Sequence, residues 1–156
     1  MAALNVRIAT AADVLQLAAL EYDQYGAEAY PAPLFYQAIA QWPHLQWLAE
    51  GTGLSTRTEQ LAGYIMAAPD QQPECCWIMS VLVNSAWRGQ GVGKQLLQAW
   101  LEHLPAGYRE VKLTVAPNNT AAIGLYQQLG FSEQAYLADF LGPGEDRLLL
   151  SCYLHP

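Results

Sequence analysis

The sequence predicts an α/β fold in which helices cover the faces of a β-sheet. Apolar segments with strand and helix periodicity alternate in the order β-α-α-β-β-β-α-β-α-β-β, a pattern typical of layered α/β domains. Hydrophobic residues make up 53% of the chain and charged residues only 13%, which excludes a disordered protein. A length of 156 residues suits a single domain, residues 1–156, with a core of its own.

Each predicted element follows from a local pattern. Strands alternate apolar with polar residues, whereas helices repeat apolar residues every three or four positions. Thr10 or Asp13 can cap the first helix. Asn119 can cap the last helix, and Gly130 can end it. The aromatic and proline-bearing stretch 22–33 predicts a mobile connection. In order, the elements are a strand over residues 4–8, a helix to Glu21, a helix over 34–42, strands over 45–49 and 61–68 joined by a polar turn over 51–60, a strand over 76–83, a helix to Leu104, a strand over 110–115, a helix over 121–129, and strands over 135–141 and 147–154.

The composition limits the possible partners and compartment. The formal net charge is −7 and no basic cluster is present, so nucleic acid is a poor candidate partner. The acidity favours a cationic second substrate such as an amine, although it serves solubility equally well. No apolar run approaches the roughly 20 residues that span a bilayer. The first residues lack the layout of a signal peptide, so we expect a cytoplasmic protein without a membrane partner.

The three cysteines give no sign of a disulfide framework or of a metal site. Their number is odd, two of them are adjacent, and their spacing matches no zinc motif. We therefore expect no metal, and we expect Cys75, Cys76 and Cys152 to be buried as small apolar residues.

Residues 88–94, Arg-Gly-Gln-Gly-Val-Gly-Lys, carry the clearest functional signal. They lie between an apolar strand and an amphipathic helix, where glycines let backbone N–H groups converge on an anion and the helix adds its positive end. Arg88 and Lys94 add positive charge on both sides. The spacing does not fit a P-loop, because Gln95 follows the lysine, or a dinucleotide turn, whose third glycine would fall at position 94. The pattern therefore favours another type of phosphate site, and a plain chain reversal is the alternative.

The form Arg88-x-x-Gly91-x-Gly93 resembles the acyl-CoA pyrophosphate loop of the GNAT N-acetyltransferases. A second segment, residues 113–131, is similar to the family's strand followed by N-x-x-A-x-x-[LF]-Y-x-x-x-G-F. The order of elements also matches over essentially the whole chain, with a pattern most like the protein N-terminal and ribosomal-protein alanine acetyltransferases. The resemblance implies the GNAT fold: a mixed, mostly antiparallel sheet of about seven strands, about four helices, and an acetyl-CoA cleft between the central strands.

The resemblance also implies an activity, the direct transfer of an acetyl group from acetyl-CoA to a primary amine in a ternary complex. The amine would be a small molecule or a protein N-terminus. Tyr126 would be the general acid for the leaving thiolate, since a phenol is a neutral donor at pH 7. A buried aromatic on the apolar face of its helix is the alternative for this residue. The cofactor would be bound by Val81, Leu82, Val83, Arg88, Gly89, Gln90, Gly91, Val92, Gly93, Lys94, Asn119 and Tyr126.

Two departures from the family pattern leave the base and the acceptor open. The glutamate that serves as base in the ribosomal-protein alanine enzymes is replaced by Thr114, which cannot accept the proton. The Tyr-Tyr pair that grips a peptide backbone is replaced by Phe140 and Leu141, which lack hydroxyls. A small amine is therefore at least as plausible as a peptide. The candidate bases are Glu21, Asp23, Glu28, Glu74 and Asp139, with water or backbone carbonyls as alternatives.

The acceptor wall is predicted from residues that could surround a cation, although its aromatic members could equally pack the first two helices together. A non-catalytic acyl-CoA-binding or sensor module is the alternative to an enzyme, and we expect a monomer or a homodimer. The candidate acceptor residues are Tyr25, Glu28, Tyr30, Phe35 and Asp139.

Overall fold

The structure, a computed structural model, describes residues 3–53 and 58–154 and contains the predicted order of strands and helices. The longest helix has 12 residues, and no helix in these two ranges has the length and apolar character needed to cross a bilayer. The strands are β1 (Leu4–Ile8), β2 (Trp47–Thr52), β3 (Glu59–Pro69), β4 (Cys75–Val83), β5 (Glu110–Val115), β6 (Ser132–Leu137) and β7 (Arg147–Tyr153), and the helices are α1 (Val14–Tyr25), α2 (Ala32–Gln41), α3 (Val92–Glu102) and α4 (Thr120–Gln128).

The strands form a mixed sheet in the order β1-β2-β3-β4-β5-β7-β6. The pairs β1–β2, β2–β3, β5–β7 and β6–β7 are antiparallel, whereas β4 and β5 are parallel. The register of the parallel pair runs from Cys75 opposite Glu110 to Ile78 opposite Leu113, and β4 continues beyond it to Val83. The predicted mixed, mostly antiparallel sheet of seven strands with four helices is confirmed.

The chain divides into two compact units, and residues 1–68 with 80–104 form the first. Helix α1 turns Val14, Leu17 and Glu21 inward at helical spacing, and α2 does the same with Phe35 and Ala38. One cluster of the core in this unit contains Ala9, Val14, Leu17, Phe35, Ala38, Leu48, Tyr64, Met66 and Leu82.

The second unit consists of residues 69–79 and 105–156. Strand β5 alternates buried Val111, Leu113 and Val115 with half-buried neighbours, as expected of a strand with one core face. The three cysteines are free and buried, as predicted. Burial raises the pKa of Cys75 to about 11 and that of Cys76 to about 12, so both remain thiols at neutral pH.

The prediction of a mobile connection over residues 22–33 is wrong. Helix α1 continues to Tyr25, a 3-10 turn covers Gly26–Glu28, and α2 already begins at Ala32. The aromatic side chains were misleading because Tyr22 and Tyr25, 64% and 47% exposed, lie on the outer face of α1 rather than in a loop.

Other boundaries differ by a few residues. The predicted polar turn over 51–60 is shorter, since β2 extends to Thr52 and β3 begins at Glu59, and residues 54–57 lie outside the described ranges. The helix predicted to reach Leu104 ends at Glu102, and the first strand of the closing hairpin begins at Ser132 and ends at Leu137. Shifts of this size are ordinary for boundaries predicted from a single sequence.

Candidate functional site

A left-handed turn leads from β4 into α3 and forms the candidate phosphate loop, residues 88–94. Gly89 and Gly91 have φ angles of 77° and 76°, a conformation that residues with a side chain rarely adopt. Gly91 is the N-cap of α3, and its carbonyl accepts a hydrogen bond from the backbone N–H of Gln95 at 3.0 Å. The positive end of α3 therefore lies within the loop, which is the arrangement that binds phosphate in other proteins.

Asn84 connects the residues just before the loop to strand β3. Its backbone N–H donates to the carbonyl of Ala62 at 2.8 Å, and its Nδ2 donates to the carbonyl of Leu61 at 2.9 Å. Its Oδ1 accepts from the N–H of Ala86 at 3.1 Å, and its carbonyl from the N–H of Trp87 at 2.8 Å. Asn84 was not predicted as a site residue, because an asparagine after a strand is also typical of an ordinary turn.

Two strand glycines bring β2 and β3 close to the residues that flank the loop. A Cβ atom on Gly63 would lie 2.7 Å from the carbonyl oxygen of Leu82, and one on Gly51 would lie 2.7 Å from the ring of Trp87. Neither distance leaves room for a methyl group. Both glycines were missed as site residues, although a glycine inside a strand often marks such a close approach.

The two cations predicted for phosphate binding lie at the surface. Arg88 and Lys94 are both exposed, and Lys94 belongs to the first turn of α3. Nη2 of Arg88 donates to Oε1 of Gln24 on α1 at 2.8 Å. This bond orients the guanidinium while leaving the backbone of the loop accessible to an anion.

Residues 81–83, predicted to meet the pantetheine arm, form the end of β4. Leu82 is 6% exposed and belongs to the core of the first unit, whereas Val81 and Val83 are half-buried. Because the Leu82 side chain already packs in the core, the segment offers a ligand its backbone more than its side chains.

A buried carboxylate lies close to β3 and β4 in the first unit. Glu21 is 2% exposed, and its Oε1 accepts hydrogen bonds from the hydroxyls of Tyr64 at 2.5 Å and Ser80 at 3.0 Å. Its Oε2 accepts from the backbone N–H of Tyr30 at 2.9 Å. Burial and then the bond to Glu21 raise the pKa of Tyr64 far above its usual value, so Tyr64 stays a neutral donor. Glu21 was among the predicted bases, but Tyr64 and Ser80 were not foreseen as its partners.

The residues predicted for the acceptor wall follow Glu21 along the chain. Tyr25 and Glu28 are exposed at the end of α1 and in the 3-10 turn, and Tyr30 is half-buried. Phe35 is 3% exposed, and its ring meets that of Tyr64 edge-on with centroids 5.6 Å apart. The structure therefore brings Tyr30 and Phe35 to the Glu21 network, with Phe35 supporting it from the core.

In the second unit, α4 presents the predicted residues Asn119 and Tyr126. Oδ1 of Asn119 accepts from the N–H of Ala122 at 3.2 Å, so Asn119 is the predicted helix cap. Tyr126 is half-buried, and its ring meets Phe131 edge-on with centroids 5.8 Å apart. Thr114 is half-buried on β5 opposite Leu149.

The loop after β6 is built around Asp139, which has a φ of 53°. Its Oδ1 accepts from the N–H of Gly144 at 2.7 Å, and its own N–H donates to Oδ1 of Asp146 at 2.9 Å. Phe140 and Leu141 are 47% and 59% exposed at the tip. The local hydrogen bonds therefore hold two apolar side chains out in solvent.

The other candidate bases differ from Glu21 in exposure. Asp23, Glu28, Glu74 and Asp139 are all exposed, and Glu74 forms an ion pair with Arg109 at 3.6 Å. Of the candidates, only Glu21 combines deep burial with a set of specific partners. A buried polar group with several partners is costly to place, so it calls for a specific explanation.

Comparison with known proteins identifies the family and agrees with the fold. Residues 12–131 match the family model described as the Acetyltransferase (GNAT) family. The chain belongs to this family of acetyltransferases. An N-alpha-acetyltransferase of Sulfurisphaera tokodaii is 30% identical over 139 residues, which cover 81% of this chain and 80% of the relative. The predicted family and the predicted enzyme class, an N-acetyltransferase, are confirmed, and the non-catalytic alternative is not favoured.

Two solved structures have the same fold over nearly the whole chain. The ribosomal-protein-S18-alanine N-acetyltransferase from Escherichia coli superposes with a TM-score of 0.79 at 19% identity, covering 99% of this chain and 96% of that chain. The diaminobutyrate acetyltransferase EctA from Paenibacillus lautus, solved with L-2,4-diaminobutyric acid and coenzyme A, gives 0.80 at 21% identity with the same coverage. The predicted GNAT fold is thereby confirmed.

Proposed function

We propose that this acetyltransferase acts as one domain, residues 1–156, and transfers the acetyl group of acetyl-CoA to a primary amine by direct attack. The observation that carries the proposal is the loop at the start of α3, where Gly89 and Gly91 adopt left-handed conformations. A loop of this shape at a helix N-terminus suits a diphosphate, and acetyl-CoA contains one next to its adenosine.

The donor is held mainly by backbone groups. N–H groups of residues 88–94 bind the pyrophosphate, with Arg88 and Lys94 adding charge. The pantetheine arm lies along residues 81–83, beyond the register in which β4 pairs with β5, as an added strand would. Asn119 contacts the cofactor arm while it caps α4. These assignments keep the thioester near the end of β4.

The reaction forms a C–N bond and breaks a C–S bond. The amine nitrogen attacks the thioester carbonyl carbon, and the thiolate leaves with the proton of the Tyr126 hydroxyl, giving the thiol of coenzyme A. The attacking amine gives up one proton as the amide forms. Thr114 cannot take this proton, so it leaves through water to a carboxylate or to solvent. The Tyr126 phenolate regains its proton from solvent before the next turnover.

The acceptor is a small or cationic amine rather than an extended peptide. The exposed tip residues Phe140 and Leu141 have no hydroxyl to bind a peptide backbone. Tyr25 and Glu28 are exposed on the acceptor wall, where an aromatic ring and a carboxylate favour a cation. The net charge of −7 attracts such a substrate from solution. We expect a monomer or homodimer in the cytoplasm, without nucleic-acid or membrane partners.

The test is release of coenzyme A thiol from acetyl-CoA with a panel of amines: diamines, polyamines, amino acids and short peptides with free N-termini. We expect amine-dependent release with the small amines and an acetylated product in the mass spectrum. Reactions without amine control for hydrolysis of the thioester.

A calorimetric titration with acetyl-CoA separates the remaining outcomes. Heat of binding together with no thiol release from any amine supports the non-catalytic acyl-CoA-binding module. No heat and no protection of the amides of residues 89–94 from hydrogen exchange would overturn the proposed donor site.

A further inference from the structure

We propose that Glu21 is a positioning residue for the amine acceptor: its buried carboxylate holds the start of the acceptor wall against the strand that presents the acetyl donor. The inference rests on the proposed function, because the donor strand and the acceptor wall are assigned there. It concerns only residues of the first unit.

The carboxylate connects segments that are far apart in sequence. From α1, Glu21 accepts the backbone N–H of Tyr30 at 2.9 Å, the hydroxyl of Tyr64 on β3 at 2.5 Å and the hydroxyl of Ser80 on β4 at 3.0 Å. The hydroxyls of Tyr64 and Ser80 also lie within 3.3 Å of each other. One side chain therefore links the acceptor segment to two neighbouring strands.

The bond from Tyr30 to Glu21 spans nine residues, whereas the neighbouring backbone bonds of the turn are local. After α1 ends, the N–H of Ala29 donates to the carbonyl of Gly26, and that of Leu34 donates to the carbonyl of Pro31. These bonds shape the turn. The bond from Tyr30 to Glu21 connects the turn to the sheet through Tyr64 and Ser80, and the packing of Tyr30 and Phe35 on the core supports the same position.

Ser80 connects the same carboxylate to the strand that is proposed to hold the acetyl donor. It is half-buried and immediately precedes residues 81–83, along which the pantetheine arm is proposed to lie. Ser80 on the donor strand and Tyr30 in the wall therefore donate hydrogen bonds to the same carboxylate, which connects the two segments. A transfer reaction needs this kind of control, since small misplacements of the reactants cost large factors in rate.

The burial of Glu21 argues against a purely stabilising role. Removing a carboxylate from water costs several kcal/mol, and a well-packed apolar residue at the same place is often at least as stable. Val14 and Leu17 lie on the same face of α1 and are apolar residues of the kind that the core accommodates there. A carboxylate with hydrogen bonds to both of its oxygens instead fixes the relative positions of the groups that donate to it.

Glu21→Ala and Glu21→Gln test the inference in the full-length protein. Alanine removes all three bonds, and we expect the KM for the amine to rise about tenfold or more while the affinity for acetyl-CoA stays within about twofold. Glutamine keeps an oxygen that accepts a hydrogen bond from the N–H of Tyr30. Its NH2 group can donate to the hydroxyl oxygens of Tyr64 and Ser80, since both hydroxyls can rotate. We therefore expect rescue to within about threefold of the wild-type KM. Glu102→Ala, an exposed glutamate at the end of α3, is the matched control and should leave both constants unchanged.

Two further measurements separate positioning from stability. Ser80→Ala removes a single bond and should raise the KM for the amine by about threefold with little loss of melting temperature. Hydrogen exchange at residues 29–35, measured at the amides of Ala29, Tyr30, Leu34 and Phe35, should accelerate in Glu21→Ala and remain near wild type in Glu21→Gln.

The two proposals fail in different ways. Unchanged exchange at residues 29–35 in Glu21→Ala, or an unchanged KM for the amine in both Glu21→Ala and Ser80→Ala, overturns the positioning role. A wild-type protein that releases no thiol, but shows the predicted exchange difference, overturns the proposed function while the anchoring of the wall by Glu21 stands.

Discussion

The proposed phosphate loop and residues 25–35 of the proposed acceptor wall lie in the same unit but are built in different ways. In the loop, the backbone carries the shape: Gly89 and Gly91 are left-handed, and the flanking cations Arg88 and Lys94 are exposed. In the wall, a single buried side chain, Glu21, connects the turn to the strands. A binding surface can therefore be defined by backbone conformation in one place and by one buried acid in another.

The difference predicts which substitutions each region tolerates. A backbone-built loop should be sensitive to any side chain that removes the left-handed conformation and less sensitive to loss of a surface charge. A wall held by a carboxylate should accept an isosteric amide but not an apolar truncation. The proposed general acid, Tyr126, belongs to neither region.

The largest effect is expected from Tyr126→Phe. Loss of the phenolic proton should lower kcat about 100-fold, the lower end of what a general acid contributes, with acetyl-CoA affinity within about twofold. Steady-state kinetics and calorimetry on the same preparation measure both quantities. Tyr153→Phe, at a 66% exposed tyrosine on β7, is the control. A variant with full kcat would remove Tyr126 from the reaction.

Gly91→Val should come next. Valine at a φ of 76° is strained by about 1–3 kcal/mol, so the loop changes shape and the Kd for acetyl-CoA should rise at least about tenfold, with the KM for the amine little changed. Gly107→Val imposes similar strain at a φ of 107°, where the space around the glycine is open. It should cost stability without affecting the Kd. Equal losses of affinity in the two variants would contradict a backbone-built phosphate site.

The two regions also differ in how far the sequence reveals them. The glycine turn between β4 and α3 was predictable because left-handed backbone favours glycine and glycine spacing is legible in a single sequence, whereas its binding of phosphate stays a prediction. The anchor of the wall was not, because a glutamate in a helix is usually exposed. A signal was present: Glu21 follows Val14 and Leu17 at helical spacing, which places an acid on the buried face of α1.

The fold was largely predictable for the same reason that the loop was. Strand and helix periodicity gave all the elements in order, and β5 was predicted with its observed boundaries. Contacts between distant residues were not predictable, since nothing local indicates that Gly63 faces Leu82 or that Tyr64 reaches Glu21. The prediction for residues 22–33 was wrong because exposed tyrosines on a helix give a composition similar to that of a loop.

Gly63→Ala tests whether the close approach of β3 to β4 supports the shape of the loop. The added methyl would meet the carbonyl of Leu82 at 2.7 Å, a backbone atom that cannot rotate away, so β3 and β4 must move apart. We expect a loss of about 1–3 kcal/mol in the free energy of unfolding, together with weaker acetyl-CoA binding. Chemical denaturation and calorimetry measure the two effects.

Gly124→Ala is the matched control for this substitution. Gly124 lies within α4, where an added methyl meets nothing within 4 Å. Alanine should stabilise the helix by about 0.5–1 kcal/mol because it restricts the unfolded chain and suits a helix interior. A stable Gly63→Ala variant with normal affinity would show that the spacing of β3 and β4 does not shape the loop.

The smallest effect is expected near the start of α1, where two half-buried carboxylates are paired with a cation. Arg7 bonds Asp13 at 2.9 Å and Glu50 at 2.8 Å, and these bonds lower the pKa of both carboxyls below their ordinary values of 3.8 and 4.5. Because the unfolded chain then takes up protons first as the pH falls, this contribution is present above about pH 4.5 and is lost through the lowered pKa values.

Arg7→Met should therefore lower the free energy of unfolding at pH 7 by no more than about 1 kcal/mol and flatten its decline below pH 4. Urea titrations at a series of pH values measure the difference, and Arg109→Met, at an exposed pair with Glu74, should change neither. An Arg7→Met variant with the acid limb of the wild-type protein would show that these two ion pairs contribute nothing to the pH dependence of stability.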